Sequence, residues 1–104
     1  MGKYVMLVQS QPRPGQDEEY HRWYDQEHVP DLLKIPGIIA GTRYAALPTD
    51  FPSPDHPNLA IYEIEADDIG AVMAEFNRRA TEGLMPVSPA IEIETVKLWL
   101  YAQR

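Results

Sequence analysis

The 104-residue chain has no cysteine. That excludes a disulfide framework, a thiolate nucleophile, and any zinc or iron–sulfur centre built on cysteine ligands. Positive charge is also scarce. Nine lysines and arginines stand against sixteen aspartates and glutamates, a formal charge of −7. The basic residues are scattered, with Arg78-Arg79 the only adjacent pair. Binding to nucleic acid needs a basic footprint, so no nucleic-acid partner is expected. The six glycines are isolated and form neither a GxGxxG fingerprint nor a P-loop, so no nucleotide, NAD or flavin cofactor is expected. No apolar run approaches a membrane span. The opening MGKYVMLVQS is too short for a signal-peptide core and leads into proline and acid. These absences together predict a cytoplasmic protein with no membrane partner.

What is present describes a folded domain. A hydrophobic share of 44% with 24% charged residues is ordinary for one soluble domain with one core, spanning 1–104. Residues 3–10 read as a strand, stopped by Pro12, Pro14 and Gly15. Asp17 is a plausible helix cap, with Glu18 and Glu19 in the first turn, and the helix runs to about Glu27 or His28. Pro30 disfavours helical geometry at Val29 and starts a second short helix over 31–35. Pro36-Gly37 turns the chain into a strand over 38–47, and strand character resumes over 59–65. Asp67 or Asp68 caps the next helix, whose apolar stripe is Ile69, Val72, Met73, Phe76 and Ala80, with Gly83 as its stop. A last strand is expected over 90–101, carrying Trp99 and Tyr101. The order βαββαβ fits the ferredoxin-like sandwich, an α+β fold in which two helices cover one face of a four-stranded antiparallel sheet. Residues 47–58 contain four prolines and are expected to form a stiff, lid-like loop.

That architecture leaves one sheet face uncovered, yet the strands are apolar on both alternating sets. Val5, Leu7, Ile61, Ile64, Leu98 and Leu100 cannot all face two helices. The simplest cover is a second copy of the chain, so a homodimer is expected.

The chemistry is concentrated between Tyr20 and Tyr44. On a helix, Tyr20, Trp23, Tyr24 and His28 fall within about a third of the circumference. An aromatic, imidazole-bearing stripe of this kind suits a surface that meets a small molecule. His28 can exchange protons near neutrality and is the expected acid/base residue. Tyr24 is its expected partner, a phenol able to polarise a carbonyl or enolate oxygen. Tyr20, His21, Trp23, Tyr44 and Tyr62 are expected to line the substrate site, and Arg43 could hold a carboxylate or phenolate. His21 and His28 share a direction but lie roughly 10 Å apart along the helix. They cannot share one ion, and no metal is expected.

The pattern Trp23-x4-His28-x-Pro30, then Leu32-Leu33, Pro36-Gly37 and Arg43-Tyr44, resembles the dimeric α+β barrel superfamily. It is most similar to its EthD-like branch. The specific part covers about residues 16–45. The resemblance implies a homodimer whose two sheets close into a barrel, with a cavity in each protomer between helices and sheet. Position by position, it implies that His28 matches the family's characteristic histidine, Trp23 the aromatic before it and Tyr44 the aromatic on the second strand. The activities it implies are diverse: cyclases, isomerases, lyases, cofactor-free monooxygenases and haem-processing proteins. The asparagine that haem-degrading members carry on the first strand has no counterpart among Val8, Gln9 and Ser10. Two functions are therefore expected above a distant haem-processing third. One is a cofactor-independent enzyme acting on an aromatic or polyketide-like molecule. The other is a non-catalytic protein that binds a hydrophobic or aromatic small molecule in a degradative pathway.

Overall fold

The computed structural model describes residues 2–104. In chain order its elements are β1 (Gly2–Ser10), α1 (Asp17–Trp23), a π-helical turn (Tyr24–His28), α2 (Val29–Leu33), β2 (Ile38–Ala45), β3 (Asn58–Ala66), α3 (Ile69–Thr81), a 3₁₀ turn (Ile93–Thr95) and β4 (Lys97–Ala102). The four strands form one antiparallel sheet in the order β2-β3-β1-β4. This is the ferredoxin-like arrangement that the element order predicts. Met6, Tyr62 and Ile64 point from the sheet into one buried cluster with Tyr20, Trp23, Tyr24 and Leu32 of the first helical segment and Val72 of α3. Both helical layers therefore lie on one face.

The expected break at Pro30 does not occur. The helix runs on from Asp17 to Leu33 through the π turn, in which the Val29 N–H bonds the Tyr24 carbonyl five residues back. Pro30 lies in the first turn of α2, where a missing N–H is tolerated. The widened turn absorbs the proline, and His28 sits inside a continuous helix, not at its end. π turns are rare and are found frequently at functional sites. Three further expectations shift. Asp17 is the first helical residue, Gln16 taking the cap position without a side-chain hydrogen bond. β2 ends at Ala45. β4 starts only at Lys97, because residues 90–96 spend their length on burying Ala90 and Ile91, bridging Ile91 to Pro12, and the 3₁₀ turn.

The second helix forms as its signals predict. The Asp68 carboxylate accepts from the Ala71 N–H at 3.3 Å. At the far end Gly83 takes φ +74°, and the Leu84 N–H reaches back to the Arg79 carbonyl at 2.9 Å. Only glycine adopts that left-handed position freely. Of the expected stripe, Val72 is buried and Ile69, Met73 and Phe76 pack against the core. Ala80 is exposed.

Register divides the strand residues between the two faces. Met6 faces the helices, so Val5 and Leu7 face away. With them go their partners Glu63 and Ile61 on β3 and Tyr101 and Trp99 on β4. Ile64 belongs to the helix side. Leu98 and Leu100 also fall on that side, opposite Val8 and Met6, although both remain exposed at the sheet edge. The open face thus carries Val5, Leu7, Ile61, Trp99 and Tyr101 beside Glu63, so the six apolar residues named from the sequence divide between the two faces.

Candidate functional site

The helical stripe closes on itself as the 3.6-residue period requires. Tyr20 and Tyr24 meet edge to face with ring centres 5.5 Å apart, and Trp23 stacks on His28 at 4.6 Å. His28 in turn meets Tyr24 edge-on at 5.0 Å. From the sheet, Tyr62 on β3 and Arg43 on β2 reach the same cluster. Gly41 lies opposite Tyr62 in the register. A Cβ there would meet the Tyr62 ring and the Val29 side chain at 3.0 Å. Glycine at this point lets the π turn approach the sheet closely.

The polar atoms of the cluster fall into two groups. The members of the first each have a partner. The Tyr20 and Ser10 hydroxyls share a 2.6 Å hydrogen bond, and the Trp23 indole N–H donates to the Pro86 carbonyl at 3.2 Å. Arg43 donates to Asp25 Oδ1 and to His21 Nδ1, each at 2.9 Å. Its guanidinium lies 4.4 Å from the Tyr24 ring centre and 5.6 Å from that of Tyr20, close enough for a cation–π contact. The second group has no partner. Among the described residues, the buried side-chain atoms lacking a hydrogen bond are His28 Nδ1 and the Tyr62 hydroxyl. The phenol of Tyr24 is the polar neighbour of Tyr62. Buried polar groups are nearly always satisfied, so two orphans around one ring call for a physical reason.

Burial sets the protonation of these groups. It holds the His28 imidazole down at about 4, against a smaller upward pull from the Asp31 charge. His28 is therefore neutral at pH 7, and the expectation of titration near neutrality is corrected. Burial pushes the Tyr24 phenol up to about 12, and it raises Tyr62 and Tyr20 as well. The cluster thus offers a neutral imidazole and neutral phenols that can donate hydrogen bonds.

The expected site residues are not all brought together. Tyr20, Trp23, Tyr24, His28, Tyr62, Arg43 and His21 form one contiguous group. Tyr44 does not join it. One residue on from Arg43 and paired with Leu59, it points to the open face and is half exposed. Ser10, Asp25 and Gly41 belong to the group without having been singled out. Asp25 was findable, since it lies four residues after His21 on the same helical face. The 47–58 loop is pinned at its base: Ala46 N–H bonds the Pro57 carbonyl, His56 bonds Gln11, and Asp55 pairs with Lys97. Its Leu47 and Phe51 remain exposed. A depression of 510 Å³ lies elsewhere, lined by Lys3, Val5, Ile39, Glu63, Glu65 and Tyr101 on the open side of the sheet. Among the described residues there is no group of three histidines or acids placed to hold a metal. No helix of the described residues is long and apolar enough to cross a membrane.

No protein-family model matches the sequence, and no curated protein matches it. Solved structures do. An ethyl tert-butyl ether D (EthD) family protein from Bacillus halodurans C-125 superposes over 100% of both chains with a TM-score of 0.65 at 13% identity. An EthD-like protein from Ralstonia eutropha JMP134 covers 96% of this chain and 90% of its own, with a TM-score of 0.59 at 16% identity. The chain has the EthD-like fold. A dimeric ferredoxin-like protein of unknown function from Thermobifida fusca YX also matches, over 98% of this chain and 92% of its own, with a TM-score of 0.58 at 10% identity. At these identities the EthD-like likeness is one of backbone course, and the chemistry must come from the residues.

Proposed function

We propose that this EthD-like chain is a homodimer that takes a flat aromatic or polyketide-like molecule between helix and sheet, and acts on it by cofactor-independent acid/base chemistry. The observation that carries the reading is the pair of orphaned polar atoms, His28 Nδ1 and the Tyr62 hydroxyl, with the His28 ring edge-on to Tyr24. A bound carbonyl compound satisfies both at once. Neutral His28 takes a proton from the carbon next to the carbonyl, and the electron pair moves onto the carbonyl oxygen to give an enolate. The phenols of Tyr62 and Tyr24, kept protonated by burial, donate hydrogen bonds to that oxygen. Return of the proton to another atom completes an isomerisation, and attack of the enolate carbon on a second carbonyl completes a cyclisation. Trp23 and Tyr20 wall the site, and His21 and Arg43 form its rim. A receptacle without turnover is the second reading. The depressed His28 favours it, because a base whose conjugate acid lies near 4 is a weak one.

A thermal-shift screen of planar carbonyl compounds tests the site. A saturating ligand should raise the melting temperature by several degrees, and Tyr62→Phe should reduce that shift. If no such compound stabilises the protein, or if Tyr62→Phe responds like the parent to every hit, the site is misplaced.

The assembly rests on the apolar open face and on the dimeric Thermobifida fusca neighbour. Light scattering should give twice the 11.9 kDa chain mass. A stable monomer at micromolar concentration would remove the cover for Val5, Leu7, Trp99 and Tyr101.

A further inference from the structure

Arg43 occupies an unusual setting for a half-buried guanidinium. It projects from the helix-facing side of β2, opposite Ala60, with Gly41 and Ala45 as its neighbours on that side of the strand. Its side chain is 17% exposed, while that of Asp25, its carboxylate partner, is 61% exposed. The other side-chain acceptor is His21 Nδ1, and a ring nitrogen that accepts a hydrogen bond carries no charge there. The guanidinium is thus balanced by one carboxylate that water already solvates. Pairs of that kind contribute little and exchange readily. Arg43 has five donors and uses one on Asp25 and one on His21.

We infer that Arg43 is an anion anchor, and that the molecule bound in the helix–sheet site carries a carboxylate, displacing Asp25 from the guanidinium. This rests on the small-molecule reading above and adds to it the charge of the ligand. The geometry fits one compact molecule. Arg43 lies 4.4 Å and His28 5.0 Å from the centre of the same Tyr24 ring. Their separation is bounded by the sum of those distances, which a substituted aromatic ring can span. The carboxylate meets Arg43 as a two-point acceptor, the aromatic body lies along Tyr24, and the reacting end faces His28 and the Tyr62 hydroxyl. In a chain of net charge −7, a sheltered guanidinium also favours an anionic ligand over a neutral one of the same shape.

Calorimetric titration with 2-naphthoate and 2-naphthamide tests this, the two probes differing in charge and little in shape. The wild type should bind the acid about tenfold or more tightly than the amide, the scale of one charge-assisted hydrogen bond. Arg43→Gln should remove that preference by weakening the acid and sparing the amide. Arg43→Lys should keep part of it as a point charge. Asp25→Asn should tighten the acid several-fold, because its competitor is gone, and leave the amide unchanged. Equal binding of acid and amide by the wild type would overturn the anion anchor while leaving the small-molecule site standing. If neither probe binds, both readings fall together. If Arg43→Gln does not fold, Asp25→Asn decides, and failure to tighten the acid sinks the inference.

Discussion

Replacing His28 by glutamine is expected to lower turnover by about 10²–10⁴-fold, the usual contribution of a positioned acid/base group. The fold and its melting temperature should change little at neutral pH. The reason is in the local bonding. His28 Nδ1 has no hydrogen-bond partner, so its removal strands no other group, and what is lost structurally is the stack on Trp23 and the edge contact with Tyr24. A residue retained for structure alone would have been expected to satisfy its buried nitrogen. Tyr24→Phe should cost less, since it removes one hydroxyl and keeps the ring on which Arg43 and His28 rest. Steady-state kinetics on any compound that the protein converts checks both. If His28→Gln unfolds or dissociates the protein, the imidazole is a packing element of the π turn. If it leaves fold and activity intact, proton transfer belongs to another group.

The second large effect is on stability against pH. An unfolded histidine titrates near 6.5, and burial holds folded His28 at about 4. The sign follows from which state binds the proton. Above pH 6.5 both states carry a neutral imidazole and the residue contributes no pH dependence. As the pH falls below 6.5, the unfolded chain takes up a proton that the folded chain refuses, and stability declines. The decline levels off below about pH 4, where both states are protonated. Integrated over that window it amounts to roughly 3 kcal/mol, with roughly 2 kcal/mol already lost at pH 5. His28→Gln lacks the titrating group and should lose correspondingly less stability between pH 7 and pH 5. Urea denaturation of both proteins at the two pH values measures the difference. Parallel losses in parent and variant would show that the imidazole is solvated in the folded state and that acid sensitivity arises elsewhere.

The layer architecture was legible because its signals are local and redundant. Alternating apolar residues mark β1 and β3, the Val72–Phe76 stripe marks α3, and Asp68 and Gly83 bracket that helix with ordinary cap chemistry. The helical stripe was legible for the same reason. Tyr20, Trp23, Tyr24 and His28 lie where helical geometry puts them, and that geometry survives the π turn. What the sequence could not show depended on longer-range accommodation. Pro30 reads as a helix end, yet the i→i+5 bond of Val29 to Tyr24 absorbs it, and nothing in residues 24–28 announces a widened turn. The protonation of His28 was misjudged because burial among Trp23 and Tyr24 is a property of packing, not of sequence spacing. Tyr44 was placed in the site because the resemblance matches it to the aromatic on the second strand, whereas the register sends it to the face opposite Arg43. The late start of β4 reflects Ala90 and Ile91, apolar residues that serve the helix-side core without joining the sheet.

The central claim is that the helix–sheet seam around Tyr24, and not the open face of the sheet, receives a small molecule. A crystal structure of the protein with a compound from the thermal-shift screen tests this most directly. The account predicts ligand density against the Tyr24 ring, with a polar atom of the ligand within hydrogen-bond distance of His28 Nδ1 or the Tyr62 hydroxyl. Density confined to the depression lined by Val5, Ile39, Glu63 and Tyr101, with His28 and Tyr62 still unpartnered, would contradict it.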